Sequence, residues 1–153
     1  MTHVIEPFVM GLTGLSGAGK TYYVDALKAA LGENVTVVGF DDYYKPLEMQ
    51  HIDEHGEANY DLPSALFSER FHEDLLQLLA YKPVLIKKYQ FENYDAPEQT
   101  EIVNPAPILL VEGLFVMDYE AVDSLLNYRI FVDCDLELCF NRRIERDIRE
   151  RGI

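Results

Sequence analysis

A chain of 153 residues, 48% of them hydrophobic, can build one domain with its own core and is too short for two ordinary domains. A formal net charge of −14 opposes nonspecific binding to nucleic acid or to an anionic membrane, since both need a basic surface. No stretch has the apolar length of a membrane span, and no basic segment followed by an apolar run opens the chain, so the sequence reads as a single cytoplasmic domain over 1–153.

Residues 8–13 form an apolar run that reads as a buried strand and leads into Gly14-Leu15-Ser16-Gly17-Ala18-Gly19-Lys20-Thr21. This segment fits the pattern G-x-x-x-x-G-K-S/T of a phosphate-binding loop. Glycines let successive backbone N–H groups turn toward anionic oxygens, and the helix that follows aims its positive end at the same point. Lys20 can then reach the outer phosphates of a nucleoside triphosphate, and the Thr21 hydroxyl can ligate Mg²⁺. Residues 20–31 carry Tyr23, Leu27, Ala30 and Leu31 at helical spacing and end at Gly32, a residue suited to close a helix.

A second strand, 35–40, ends in Phe40-Asp41-Asp42-Tyr43-Tyr44-Lys45. Two carboxylates at a strand end beside a triphosphate can take a proton from an acceptor hydroxyl or help hold Mg²⁺; away from such a site, loop acids are simply solvated. Residues 64–81 predict an amphipathic helix with Ser64 as N-cap and Leu66, Phe67, Phe71, Leu75, Leu78 and Leu79 on one face. Residues 84–91 read as a strand and 100–103 as its return, an inserted hairpin of the kind that carries substrate contacts. Strand 107–112 ends in Glu112-Gly113, placing an acid where a metal or water ligand would lie beside the loop lysine.

A short helix over 118–127, a strand over 129–133 and a last helix from its cap at Asp135 to about Arg151 complete the pattern. Cys134 and Cys139, five residues apart, read as reduced thiols. In the last helix, Arg143 and Arg146 share a face and can reach phosphate oxygens. The interleaved Glu145, Asp147 and Glu150 fit equally an ion-paired, solvated helix. Near-continuous apolar strands alternating with helices predict an α/β fold: a doubly wound parallel sheet of the P-loop NTPase type, buried on both faces and flanked by helices, with ligands at the carboxyl ends of its strands.

The order of these motifs resembles the uridine kinase family. The resemblance is carried by Gly14 to Thr21, Asp41-Asp42-Tyr43-Tyr44-Lys45, Asn59-Tyr60-Asp61-Leu62-Pro63, Val111-Glu112-Gly113, Ile130-Phe131-Val132-Asp133 and the run Arg142 to Gly152. It implies transfer of the γ-phosphate of ATP or GTP, with Mg²⁺, to the 5′-hydroxyl of uridine or cytidine. By position it implies a nucleotide cradle of Gly14, Ser16, Gly17, Ala18, Gly19, Lys20 and Thr21, assisted by Arg143 and Arg151. Asp41 would be the general base, with Lys20 and Arg146 stabilising the transferring group and Thr21, Asp41 and Glu112 organising the metal. Asp61 would hold the ribose hydroxyls, a task for which an accepting carboxylate is suited. Tyr44, Tyr89, Phe91, Tyr94 and Arg146 would complete the acceptor site, Tyr89 and Phe91 by stacking on the base. As a plain strand, Tyr89 and Phe91 would equally serve core packing.

The chain departs from the family at Tyr94, where a histidine usually reads the base, and at Ile153, where the lid has a second arginine. Relatives continue with a further strand and helices, which predicts an uncovered sheet edge here and association into a homo-oligomer. Two other activities share the loop: phosphorylation of another hydroxyl acceptor, such as pantothenate or a sugar phosphate, and nucleotide binding without catalysis.

Overall fold

The computed structural model describes residues 5–15, 17–90 and 96–151, with residue 151 described by its backbone alone. Four parallel strands form the main sheet: β1 (Phe8–Gly14), β2 (Val35–Gly39), β5 (Ile108–Glu112) and β6 (Tyr128–Val132), in spatial order β2-β5-β1-β6. β3 (Val84–Lys87) and β4 (Thr100–Val103) make a separate antiparallel pair, the expected hairpin, with Val84 opposite Val103 and Lys87 opposite Thr100. The helices are α1 (Lys20–Leu31), α2 (Ser68–Leu79), the single turn α3 (Glu120–Asp123) and α4 (Leu136–Arg146), which continues as a π-helical turn, Asp147–Arg151.

Alternation along the strands divides the core into two layers. Val9, Val38, Leu109 and Val111 face α2, α3 and the hairpin, packing with Phe71, Leu75, Val84, Val103 and Val122. Leu12, Leu110 and Val132 face the other way, with Ala18, Val24 of α1 and Cys139 of α4. The sheet is therefore wound on both sides. From β1 the chain passes through α1 toward β2, whereas from β5 it passes through α3 over β1 to β6, so the carboxyl ends of β1 and β5 flank a switch point where a crevice opens.

Several expectations need correcting. The helix expected over 64–81 begins only at Ser68, with Phe67 rather than Ser64 at its N-cap. Residues 63–65 are a 3₁₀ turn, and Leu66 instead makes a β-bridge to Tyr44. Phe67 N donates to Tyr43 O at 2.8 Å and Lys45 N to Ala65 O at 2.8 Å; this backbone pairing wins over the helical spacing of Leu66 and Phe67. The strand expected over 84–91 leaves its ladder after Lys87, and the helix expected over 118–127 keeps one α-turn. β6 is an edge rather than a strand buried on both faces: Tyr128 and Phe131 are 56% and 63% exposed. Asp135 does cap α4, its carboxylate accepting from Leu138 N at 3.2 Å. Cys134 and Cys139 are free thiols.

Candidate active site

The carboxyl ends of β1, β2 and β5 converge because their ladders run in step: Leu12 pairs with Glu112, and Gly39 with Glu112 on the other side. Thr13, buried below the loop, shares its hydroxyl proton between the carbonyls of Gly113 and Leu114 at 2.7 and 2.8 Å. That contact fixes the exit of β5 beside the glycine loop. Gly39 leaves room for the acid next to it, since a Cβ there would stand 3.0 Å from Glu112 Oε1.

The loop lies between β1 and α4. Ala18 packs with Cys139, and a Cβ on Gly17 would fall 2.3 Å from Cys139 O. Gly19 sits at the N-cap of α1 with φ near 102°, and no side chain among the described residues caps the helix. The first turn of α1 thus presents backbone N–H groups toward the cavity without a side-chain acceptor, which suits an anion. Lys20 Nζ folds back to donate to Gly14 O at 2.6 Å and Leu15 O at 3.2 Å. Burial holds its ammonium below the usual lysine range; Asp41 and Glu112 oppose that shift and Arg146 adds to it.

These groups line one cavity of about 450 Å³, which also takes in Thr21, Tyr44, Asp61 and Arg143. The Glu112 carboxyl on its wall is strongly perturbed. Burial and the like charge of Asp41 push it up to about 7, against the partial relief of Lys20. A divalent cation held between Glu112 and Thr21 would remove that penalty, and carboxylate and hydroxyl oxygens are hard donors suited to Mg²⁺. Among the described residues no three or more His, Cys, Asp or Glu form a metal cage.

The raised Glu112 has a consequence for the nucleotide-free, metal-free protein. Its folded-state value of about 7 exceeds the ordinary 4.5, so the native state retains a proton that the unfolded chain has released, and stability falls as pH rises through that window. Glu112→Gln is expected to gain on the parent across it, by on the order of 2–3 kcal/mol at pH 8 relative to pH 4.5. Urea unfolding of both proteins at the two pH values measures this, and an unchanged difference would refute the buried, charge-crowded setting of Glu112.

On the far wall, Arg143 Nη1 donates to Asp61 Oδ2 at 2.8 Å, and Arg143 also lies 3.7 Å from Asp147. The Asp61 carboxylate holds this guanidinium above its ordinary range. Both side chains are partly exposed, so the pair adds little stability and can exchange readily for substrate groups. Tyr89 lies behind this wall rather than on the cavity lining: its ring is 5.4 Å from Tyr44 and 6.4 Å from Tyr60, and its hydroxyl is 3.3 Å from that of Tyr60. Gly14 and Ala18 support the loop without lining the cavity. Ser16, Phe91 and Tyr94, and the side chain of Arg151, lie outside the described residues.

Sequence reasoning passed over Tyr60, Leu114, Arg142, Asp147, Arg149 and Glu150, all on the cavity wall. Tyr60 was within reach as the neighbour of Asp61, and Asp147 as the i+4 partner of Arg143. Leu114 had no signal of its own beyond following Glu112-Gly113.

The phosphoribulokinase/uridine kinase family profile matches residues 9–153. A uridine kinase of Lactiplantibacillus plantarum is 35% identical over 148 residues, covering 96% of this chain and 71% of the relative. One from Halobacterium salinarum is 33% identical over 148 residues, covering 97% of this chain and 66% of the relative, just under two thirds of its length. Among solved structures, a putative fructose transport system kinase from Silicibacter superposes with a TM-score of 0.76 at 17% identity, covering 98% of this chain and 76% of that one, a likeness of fold alone. With its parallel sheet, flanking helices, glycine loop and antiparallel hairpin, the chain belongs to the phosphoribulokinase/uridine kinase family of phosphotransferases acting on a hydroxyl group.

Proposed function

We propose that this chain transfers the terminal phosphoryl group of ATP or GTP to the 5′-hydroxyl of a pyrimidine nucleoside, in the cytoplasm. One observation carries the reading: Asp41 and Asp61 share a single cavity with Gly17 and Gly19 of the glycine loop, Lys20, Thr21 and Glu112, an arrangement in which one carboxylate could accept a proton and the other bind hydroxyls opposite a bound phosphate. Loop N–H groups would hold the phosphates, and Lys20 would exchange its bonds to the Gly14 and Leu15 carbonyls for phosphate oxygens. Thr21 and Glu112, with Asp41 nearby, would hold Mg²⁺, which when bound neutralises phosphate charge.

Asp41 takes the proton of the attacking hydroxyl as the new O–P bond forms and the bridging O–P bond to the leaving diphosphate breaks. Arg146 offsets charge on the transferring group. Asp61 accepts from the ribose hydroxyls. Arg143, tied to Asp61, then belongs to the acceptor side as much as to the phosphates. Tyr44 and Tyr60 offer aromatic faces for the base, with Tyr89 behind them. Catalysis of this kind rests mainly on positioning and electrostatics.

The test is Mg²⁺-dependent ADP release from ATP in the presence of uridine, cytidine, pantothenate and a set of sugar phosphates. Stimulation by the pyrimidine nucleosides supports the reading. Stimulation by another acceptor alone would replace the substrate, and nucleotide binding without stimulation by any acceptor would replace the activity.

A further inference from the structure

Asp41 and Asp42 are adjacent in sequence and part company in the fold. Both sit in the 3₁₀ turn Phe40–Tyr43; Asp41 lines the cavity, whereas Asp42 turns to the hairpin. Its carboxylate, 22% exposed, accepts from Lys88 Nζ at 3.0 Å and from the backbone N–H of Tyr89 at 3.4 Å. Lys88 also reaches Glu101 on β4 at 2.9 Å, so one ammonium joins both arms of the hairpin to the end of β2. Burial draws the Lys88 ammonium down, and its hydrogen bonds to Glu101 and Asp42 outweigh that, keeping it charged.

The hairpin needs such a tie. Among the described residues its two strands share no ladder with the main sheet, and a lone two-stranded pair is marginal in water. Val84, Ile86 and Val103 bury its base in the core. Beyond Lys87 one more backbone bond, Lys88 N to Gln99 O at 2.8 Å, joins the arms; the Tyr89 N–H then donates to Asp42, and the Tyr89 ring lies against Tyr44 and Tyr60. We infer that Asp42 is a positioning residue: with Lys88 it docks the hairpin on the acid-bearing turn and thereby sets Tyr89 behind the acceptor wall. The effect on substrate rests on the kinase reading above; the docking does not.

The experiment uses the full chain with Asp42→Ala, Lys88→Met and the double variant. Expected for each single variant is a rise of about fivefold in KM for the pyrimidine nucleoside, with kcat within about twofold and KM for ATP unchanged, because a partly shielded charge pair is lost away from the phosphates. The double variant should lose less than the sum of the two singles, since the Lys88–Asp42 pair is removed in both. Asp42→Glu should recover part of the loss. Unchanged nucleoside KM, an equal rise in KM for ATP, or additive single effects would each overturn the inference. Hydrogen–deuterium exchange over 84–90 and 99–103 reads the docking directly. If the parent protein phosphorylates no acceptor, the kinase reading fails, and exchange alone decides: faster exchange in Asp42→Ala upholds the docking, and unchanged exchange overturns it.

Discussion

Asp41→Asn is expected to lower acceptor-dependent phosphoryl transfer by about 10²–10⁴-fold, the range over which a positioned general base contributes. Asparagine keeps the shape of the side chain and removes the oxygen charge that, on the proposed reading, would take the proton. Binding of ATP should change little, because on the proposed reading the loop N–H groups and Lys20, rather than Asp41, would take the phosphates. A second effect follows from the neighbourhood. Asp41 helps push the Glu112 carboxyl up to about 7, so neutralising it should move the Glu112 titration down toward its ordinary range and carry the pH profile of any residual activity with it. Steady-state rates between pH 5.5 and 8.5, with calorimetric ATP binding alongside, separate these effects. Equal turnover in parent and variant would remove Asp41 from the chemistry, and a loss confined to ATP affinity would move it to the phosphate side.

The sheet was legible because its inner strands are apolar on both faces. The runs ending at Thr13 and Glu112 leave little choice but burial between two helical layers. The glycine loop was legible for a different reason, since few other arrangements need glycine, lysine and threonine at that spacing. Other features had no local signal. Arg143 and Asp61 meet across 82 positions of sequence, and nothing near either residue points to the other. Leu66 fits a helical face as well as it fits the bridge to Tyr44, and the choice is made by backbone bonds formed only once the 44–66 loop has closed. Asp42 resembled a partner of Asp41 because adjacency was all the sequence offered. A 3₁₀ turn, with about a third of a turn per residue, sends neighbours in different directions. The exposure of Phe131 likewise depends on which strand lies at the sheet edge, which composition does not encode.

Gly17→Ala should be among the most damaging single-atom additions in the molecule, and a comparison with Gly19→Ala shows why. Both glycines have positive φ, near 84° and 102°, so alanine at either would store backbone strain of roughly 1–2 kcal/mol. Their surroundings differ. A Cβ on Gly19 meets nothing within 4 Å, whereas one on Gly17 would stand 2.3 Å from the carbonyl oxygen of Cys139, 3.1 Å from its carbonyl carbon and 3.2 Å from its Cα. Those are backbone atoms in the first turns of α4, and no rotamer change can move them aside. Relief would require lifting the loop from the helix, which would separate Ala18 from Cys139 and turn the loop N–H groups away from the cavity. Gly17→Ala is therefore expected to cost about 2–4 kcal/mol of stability and to weaken ATP binding by about 100-fold or more, with Gly19→Ala losing the smaller, strain-only share. Urea unfolding and calorimetric titration of both variants give the two readouts. Equal losses would mean that strain alone governs the loop and that its seat against α4 is not what holds the phosphate cradle in shape.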